Sequence, residues 1–286
     1  MIGFRGFASR AAIVAAAALF LAWSGPAVAA PCGAVITLPT HDGTTTRYSF
    51  GAPQGDGKPH AALVLLAGGG GVVNLDDGGC ARALRGNSLV RSAAIFRALG
   101  FATAVVDAPS DHNKDEDGLR GFRSDAKHAD DLGLIVAQLR QRTGAPVWIL
   151  GTSRGSISAV NAASRLKGAA APDGIVLTSA LMAGGRGNKY WVRDTVFDHE
   201  LSAITVPLLL IGHGGDKCLR SPPDDMSRLF GRIASARKQM VTVTGGPGWK
   251  GGFSLKACVG RAPHGFHKQD RELAEGIARF VRGERY

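Results

Sequence analysis

Only one stretch of this chain is apolar enough to be taken for a membrane segment, and it is too short for one. The run from Ala11 to Trp23 falls well short of the roughly 20 residues a spanning helix needs. Arg5 and Arg10 precede it and Ala27-Val28-Ala29 follows it, the arrangement of a cleaved export signal. Residues 1–30 are therefore expected to be removed, leaving residues 31–286 in the periplasm or outside the cell. Pro31 stands before Cys32 where a lipidated terminus has a small residue, so a lipid anchor is not expected. Stable membrane insertion is not expected either. The remainder lacks a low-complexity linker and an internal repeat, which leaves a single domain as the reading.

Cysteine is scarce, with four in the chain. Neither C-x-x-C nor H-x-x-x-H spacing occurs, so a zinc site has no ligand pattern to rest on. In an exported chain four cysteines read as disulfides, and three pairings are open. Charge of one sign is in excess: 34 Lys and Arg against 23 Asp and Glu give +11, which falls to about +9 without Arg5 and Arg10. The basic residues are dispersed rather than interleaved with aromatics, so nucleic-acid binding has no footprint. The excess suits a solvated surface, or electrostatic association with an anionic envelope.

What the chain does have is a regular alternation of apolar runs and helical patterns. Residues 34–38 and 45–50 read as an antiparallel pair around His41-Asp42-Gly43. Residues 61–67, 101–106, 147–150, 174–178, 206–211 and 240–243 read as further strands. Helical spacing covers 89–99, 124–142, 157–167, 224–236 and 270–281, with a short helix near 195–203. Strands alternating with helices imply a mostly parallel eight-stranded sheet covered on both faces. Ligands bind such sheets at the carboxyl ends of the strands. After the fourth strand, Asp107 reads as a loop-structuring carboxylate, and the acidic cluster at 111–117 as a solvated turn.

The strand at 147–150 runs directly into Gly151-Thr152-Ser153-Arg154-Gly155. A G-x-S-x-G between strand and helix is a nucleophile elbow, which exposes the serine on a strained turn. The glycines permit close approach of neighbouring segments, and the helix start offers N–H groups to an oxyanion. His213-Gly214-Gly215-Asp216 follows the seventh strand, and Pro263-His264-Gly265-Phe266 follows the eighth. In this order of motifs the mature chain resembles the α/β-hydrolase superfamily, serine esterases and lipases in particular, and its small dienelactone-hydrolase-like members.

The resemblance implies that Ser153 is the nucleophile, Asp216 the acid and His264 the base. It implies an oxyanion hole built from the N–H of Arg154 and one from Ala67-Gly68-Gly69-Gly70-Gly71, with Gly69 and Gly70 unranked. Ala67 stands where the familiar loop has histidine. Neither G-x-G-x-x-G nor a P-loop lysine accompanies these glycines, so a phosphate site is not implied. His267 is the alternative base, and Asp194 or Asp198 the alternative acid if it followed the sixth strand. His213 reads as structural, Ser156 and Ser158 as helix-packing residues, and Arg154 as solvent-exposed. Cys218 and Cys258 flank the acid and histidine loops, which favours Cys218–Cys258 and leaves Cys32–Cys80. The connection between the sixth and seventh strands has room for a small flap, not a large cap. The expected activity is hydrolysis of a small-molecule or polymer-end ester through an acyl-enzyme, without a cofactor or catalytic metal. A peptidase, a thioesterase or a silent binding protein on the same fold are the alternatives, and oligomeric state is left open.

Overall fold

Every residue of Ala62–Leu66 (β3), Ala102–Val106 (β4), Val147–Thr152 (β5), Gly174–Thr178 (β6) and Leu208–His213 (β7) is buried. Strands covered on both faces have to be apolar on both, which explains their unbroken hydrophobic runs. The computed structural model describes residues 1–3, 32–55, 57–114, 118–185 and 193–286. The export signal read over residues 1–30 lies, except for the first three, outside the described residues. The five central strands belong to an eight-stranded sheet of order β1-β2-β4-β3-β5-β6-β7-β8. Its outer strands are Ala34–Pro39 (β1), Thr45–Gly51 (β2) and Lys238–Val243 (β8). Strand β2 pairs antiparallel with both β1 and β4, and all other neighbours are parallel.

Side chains alternate between two cores, as the two-residue period of a strand requires. Ala62, Val64, Leu66, Val147, Ile149, Leu208 and Leu210 face one side. There they meet Ala126–Thr143 (α2), Gly155–Arg165 (α3) and Met226–Arg232 (α4). Leu63, Leu65, Trp148, Leu150, Leu209 and Ile211 face the other side, against Ser88–Ala98 (α1) and Asp270–Val281 (α5). Helix α2 shows why its boundaries fall where they do. The Asp125 carboxylate accepts from Lys127 N–H at the start, and Gly144, at φ 61°, turns the chain left-handed at the end.

Two helices differ from the sequence reading. The helix expected over 224–236 is cut back to Met226–Arg232, after a 3-10 turn at Pro223–Asp225. Ile233 adopts an extended conformation and is buried, and Lys238 Nζ donates to the Phe230 and Ile233 carbonyls that a longer helix would have used. The segment near 195–203 forms two 3-10 turns, Val196–Asp198 and Leu201–Ala203. The Asp198 carboxylate folds back to accept from Thr195 N–H at 2.7 Å, closing the first turn on itself. Among the described residues no helix is long and apolar enough to cross a membrane.

Both cysteine pairs are bonded: Cys32–Cys80 and Cys218–Cys258. The second closes a loop with a sequence separation of 40 residues, for which loss of chain entropy predicts about 4 kcal/mol of stabilisation. Replacing Cys218 and Cys258 together with serine should lower Tm by roughly 8–16 °C in a domain of this size. Calorimetry that finds no change would show that the tie contributes nothing.

Candidate active site

Close packing is severe at the end of β5. A Cβ on Gly151 would lie 2.4 Å from the Gly155 carbonyl oxygen, and one on Gly155 would lie 2.2 Å from that of Leu66. Both positions therefore accept glycine only, and the chain reverses between them through Ser153 at φ 50°. This left-handed conformation is costly for a serine and persists because its surroundings over-determine it. Ser153 N–H donates to the Thr178 carbonyl at 3.0 Å, and its own carbonyl accepts from Ser156 N–H and Ser156 Oγ. Helix α3 then begins at Gly155, two residues earlier than its apolar spacing predicts.

Asp216 follows β7 and His264 follows β8. His264 Nδ1 donates to Asp216 Oδ2 at 2.9 Å, and Asp216 Oδ1 accepts from Cys218 N–H at 2.8 Å. Both side chains are buried. His264 Nε2 is buried without a hydrogen-bond partner. The His264 carbonyl accepts from Ser179 Oγ at 2.7 Å, which ties the histidine loop to the chain leaving β6. Ser153 and His264 line one cavity of about 270 Å³, together with Gly68, Gly69, Asn87 and Cys258. A second cavity of about 600 Å³ opens from Ser153 between Leu181, Leu219, Leu255, Arg154 and Arg220. Gly69 lines both cavities and Gly70 neither. Arg154 is half-buried at the wall of the larger cavity rather than simply solvent-exposed.

The alternative residues are engaged elsewhere. His213 Nδ1 accepts from Gly215 N–H and its Nε2 meets Gln269 Oε1 at 3.0 Å, so both ring nitrogens are used. His267 lines neither cavity. Asp198 caps its own turn, and Asp194 accepts from Ser124 Oγ at 3.4 Å; burial raises its pKa. Asp107 gathers the N–H groups of Val73, Asn74, Leu75 and Ala108, the loop-structuring role read for it.

One residue escaped the sequence reading. Arg123 is among the most deeply buried side chains of the protein, and no carboxylate among the described residues pairs with it. Its guanidinium donates instead to Ser158 Oγ at 2.9 Å and to the carbonyls of Ala67 at 3.0 Å and Gly69 at 3.4 Å. Gly71 leaves the space for it, since a Cβ there would lie 2.6 Å from Arg123 Nη2. A buried cation without a counter-charge is expensive and must be solvated by dipoles. Here those dipoles belong to the glycine-rich loop. Burial, with Arg154 nearby, brings the Arg123 pKa down to about 9, so the side chain stays charged at neutral pH. Ser158 passes the contact on to His128 Nε2 at 2.8 Å, and burial with the Arg123 charge pushes His128 down to about 3. No motif marks Arg123; its only signal was an arginine just before the apolar face of α2.

Neither protein-family models nor curated protein sequences yield a match to this chain. Solved structures do. Est1E from Butyrivibrio proteoclasticus, solved with ferulic acid bound, is 15% identical over 85% of this chain and 99% of its own, with a TM-score of 0.58. A thermostable carboxyl esterase from Bacillus coagulans is 12% identical over 87% and 97% of the two chains, at a TM-score of 0.58. An alpha-beta serine hydrolase homologue from Coxiella burnetii is 15% identical over 86% and 96%, at a TM-score of 0.56. The chain has the α/β-hydrolase fold.

Two outcomes follow from the buried network. Arg123→Met leaves the Ala67 and Gly69 carbonyls without their donor, so any turnover at the candidate site should fall about tenfold or more with a lower Tm. Arg123→Lys should restore little, because an ammonium cannot span three acceptors as a fork does. Unchanged kcat in Arg123→Met would refute this. His128 takes a proton near pH 6.5 when unfolded but only near about 3 when folded. Unfolding thus takes up a proton in that window, and stability falls as pH drops through it. Urea titrations at several pH values should show a shallower decline in His128→Asn than in the parent.

Proposed function

We propose that this chain is an exported serine hydrolase acting on carboxylic esters. The observation that carries the reading is the His264–Asp216 hydrogen bond. It leaves His264 Nε2 as the unengaged ring nitrogen beside a cavity it shares with a strained serine. The esterases among the structural neighbours support the reading at the level of fold. The two disulfides support maturation in an oxidising compartment.

A serine hydroxyl is a weak nucleophile near neutral pH and needs a base that takes its proton during attack. In the proposed mechanism Ser153 Oγ attacks the acyl carbon while His264 Nε2 accepts its proton. Asp216 holds the ring in the tautomer with Nδ1 protonated and stabilises the imidazolium that forms. The N–H groups of Arg154 and of the glycine-rich loop, with Gly69 the nearer candidate, receive the oxyanion. His264 then returns the proton to the leaving alcohol, and a water activated by the same nitrogen releases the acid. The 600 Å³ cavity, walled by Leu181, Leu219 and Leu255, suits an apolar portion of the substrate next to Ser153.

A fluorophosphonate probe should label the protein and leave Ser153→Ala unlabelled. Matched ester, thioester and amide substrates should rank with the ester highest in kcat/KM, and Ser153→Ala or His264→Ala should lower kcat by about 10⁴-fold or more. Absence of labelling overturns the hydrolase reading, and a higher value for the amide or thioester overturns the ester assignment.

A further inference from the structure

At the sheet edge far from Ser153 in sequence, three side chains converge that the proposed reaction does not use. His41 lies in the turn joining β1 and β2; Asp111 and His112 lie in the loop after β4. Ligand atoms of the three all fall within 4.8 Å of one another. His41 Nε2 is 3.1 Å from Asp111 Oδ2, and His112 Nε2 is 3.6 Å from the same oxygen. None of the three lines either cavity at Ser153.

The other face of His41 decides what its Nε2 can be. Nδ1 meets Asp131 Oδ2 at 2.7 Å, and His41 N–H donates to Asp131 Oδ1 at 3.0 Å. A carboxylate only accepts, so Nδ1 carries a proton. A neutral His41 then turns the lone pair of Nε2 towards an oxygen of Asp111 at 3.1 Å, a repulsive contact. Something positive has to stand between them, either a second proton or a cation. Two carboxylates, Asp111 and Asp131, surround the position, and no Lys or Arg among the described residues forms an ion pair with either. Lys127, on α2, pairs with Asp42 instead. With His41 neutral, the two carboxylates leave two negative charges for a cation to meet.

The geometry agrees. Ligands about 2.0–2.2 Å from a tetrahedral zinc ion stand about 3.3–3.6 Å apart, close to both separations seen here. The rings are held ready, with centroids 4.7 Å (His41) and 4.3 Å (His112) from that of Phe122. The loop carrying Asp111 and His112 is fastened to β2 through Ser110 N–H and the Thr45 carbonyl, 2.9 Å apart. A carboxylate behind the distal nitrogen of a histidine ligand fixes its tautomer and strengthens it as a donor.

We propose that His41 Nε2, Asp111 and His112 Nε2 form a binding site for a divalent transition-metal ion, zinc by ligand type, with Asp131 orienting His41. The ion clasps the β1–β2 turn, α2 and the loop after β4 together. It takes no part in the chemistry at Ser153.

The test is calorimetric titration of the full protein, stripped with EDTA and dialysed, with zinc chloride alone. One saturable site is expected, with Tm rising by roughly 5–10 °C at about 100 times Kd. Asp111→Asn and His112→Ala should each weaken binding at least tenfold while leaving the metal-free Tm within about 2 °C of the parent. Ser153→Ala and Asp216→Asn should bind zinc as the parent does. Cobalt in place of zinc should give the visible spectrum of a tetrahedral site, lost in His112→Ala. Absence of saturable binding, or binding unchanged in both Asp111→Asn and His112→Ala, overturns the proposal.

Discussion

The structure turns on the left-handed backbone of Ser153. A residue with a side chain rarely rests at φ 50°, and holding it there costs of order 1–3 kcal/mol. The cost is met by packing that admits no Cβ on either side. Gly155 lies against the end of β3, Gly151 lies against Gly155, and a Cβ on Gly68 would come 2.9 Å from that of Ser153. The same crowding aligns β5 with α3 and brings the glycine-rich loop over the serine. Elbow, helix start and loop are one packing solution, and none of them can be relaxed separately.

Around that elbow each loop is restrained by different chemistry. The glycine-rich loop has no side chains with which to anchor itself, so its carbonyls are held from below by the Arg123 guanidinium. The acid and histidine loops are joined by the Asp216–His264 hydrogen bond and by Cys218–Cys258, and Ser179 adds a bond to the His264 carbonyl. The loop after β4 uses Asp107, whose carboxylate collects four backbone N–H groups. Fully burying Arg123 with no carboxylate partner among the described residues is the least economical of these devices. It leaves a positive charge under the loop proposed to receive the oxyanion, where a carboxylate partner would have cancelled it.

The sheet was legible because its signal is local. Alternation of apolar residues within β3, β5 and β7 is the alternation between the two cores, and Gly100 and Gly144 stop α1 and α2 where expected. The placement of Ser153 and Asp216 beyond the carboxyl ends of β5 and β7 was legible for a related reason, since each closely follows its strand, whereas His264 comes only after a long loop beyond β8. Arg123 and the His41–Asp111–His112 cluster have no such shorthand. Asp111 lies 70 residues from His41, in an acidic run that reads as a solvated turn. Only the antiparallel pairing of β2 with β4 brings the two together. The absence of H-x-x-x-H spacing excluded a metal site on one helix and said nothing of one assembled across strands. The helix expected at 224–236 failed for a tertiary reason as well, since Lys238 takes the carbonyls that helical continuation needed.

Restraints of this kind cluster where the sheet itself contributes least. The central strands are buried on both faces and keep their register without cross-links, because a one-residue slip would turn each apolar face into the wrong core. Edge strand β1 and the loops at the carboxyl ends have no such protection; β1 has no buried residue. One disulfide ties the chain just before β1 to Cys80, the histidine–carboxylate cluster holds the β1–β2 turn, and the second disulfide holds the acid and histidine loops. An oxidising compartment with available zinc would stabilise these margins, and reduction or chelation would loosen them before the central sheet. The loops at the carboxyl ends are also where the proposed acyl transfer takes place, so the conditions that preserve the margin are those that preserve the geometry of Asp216 and His264.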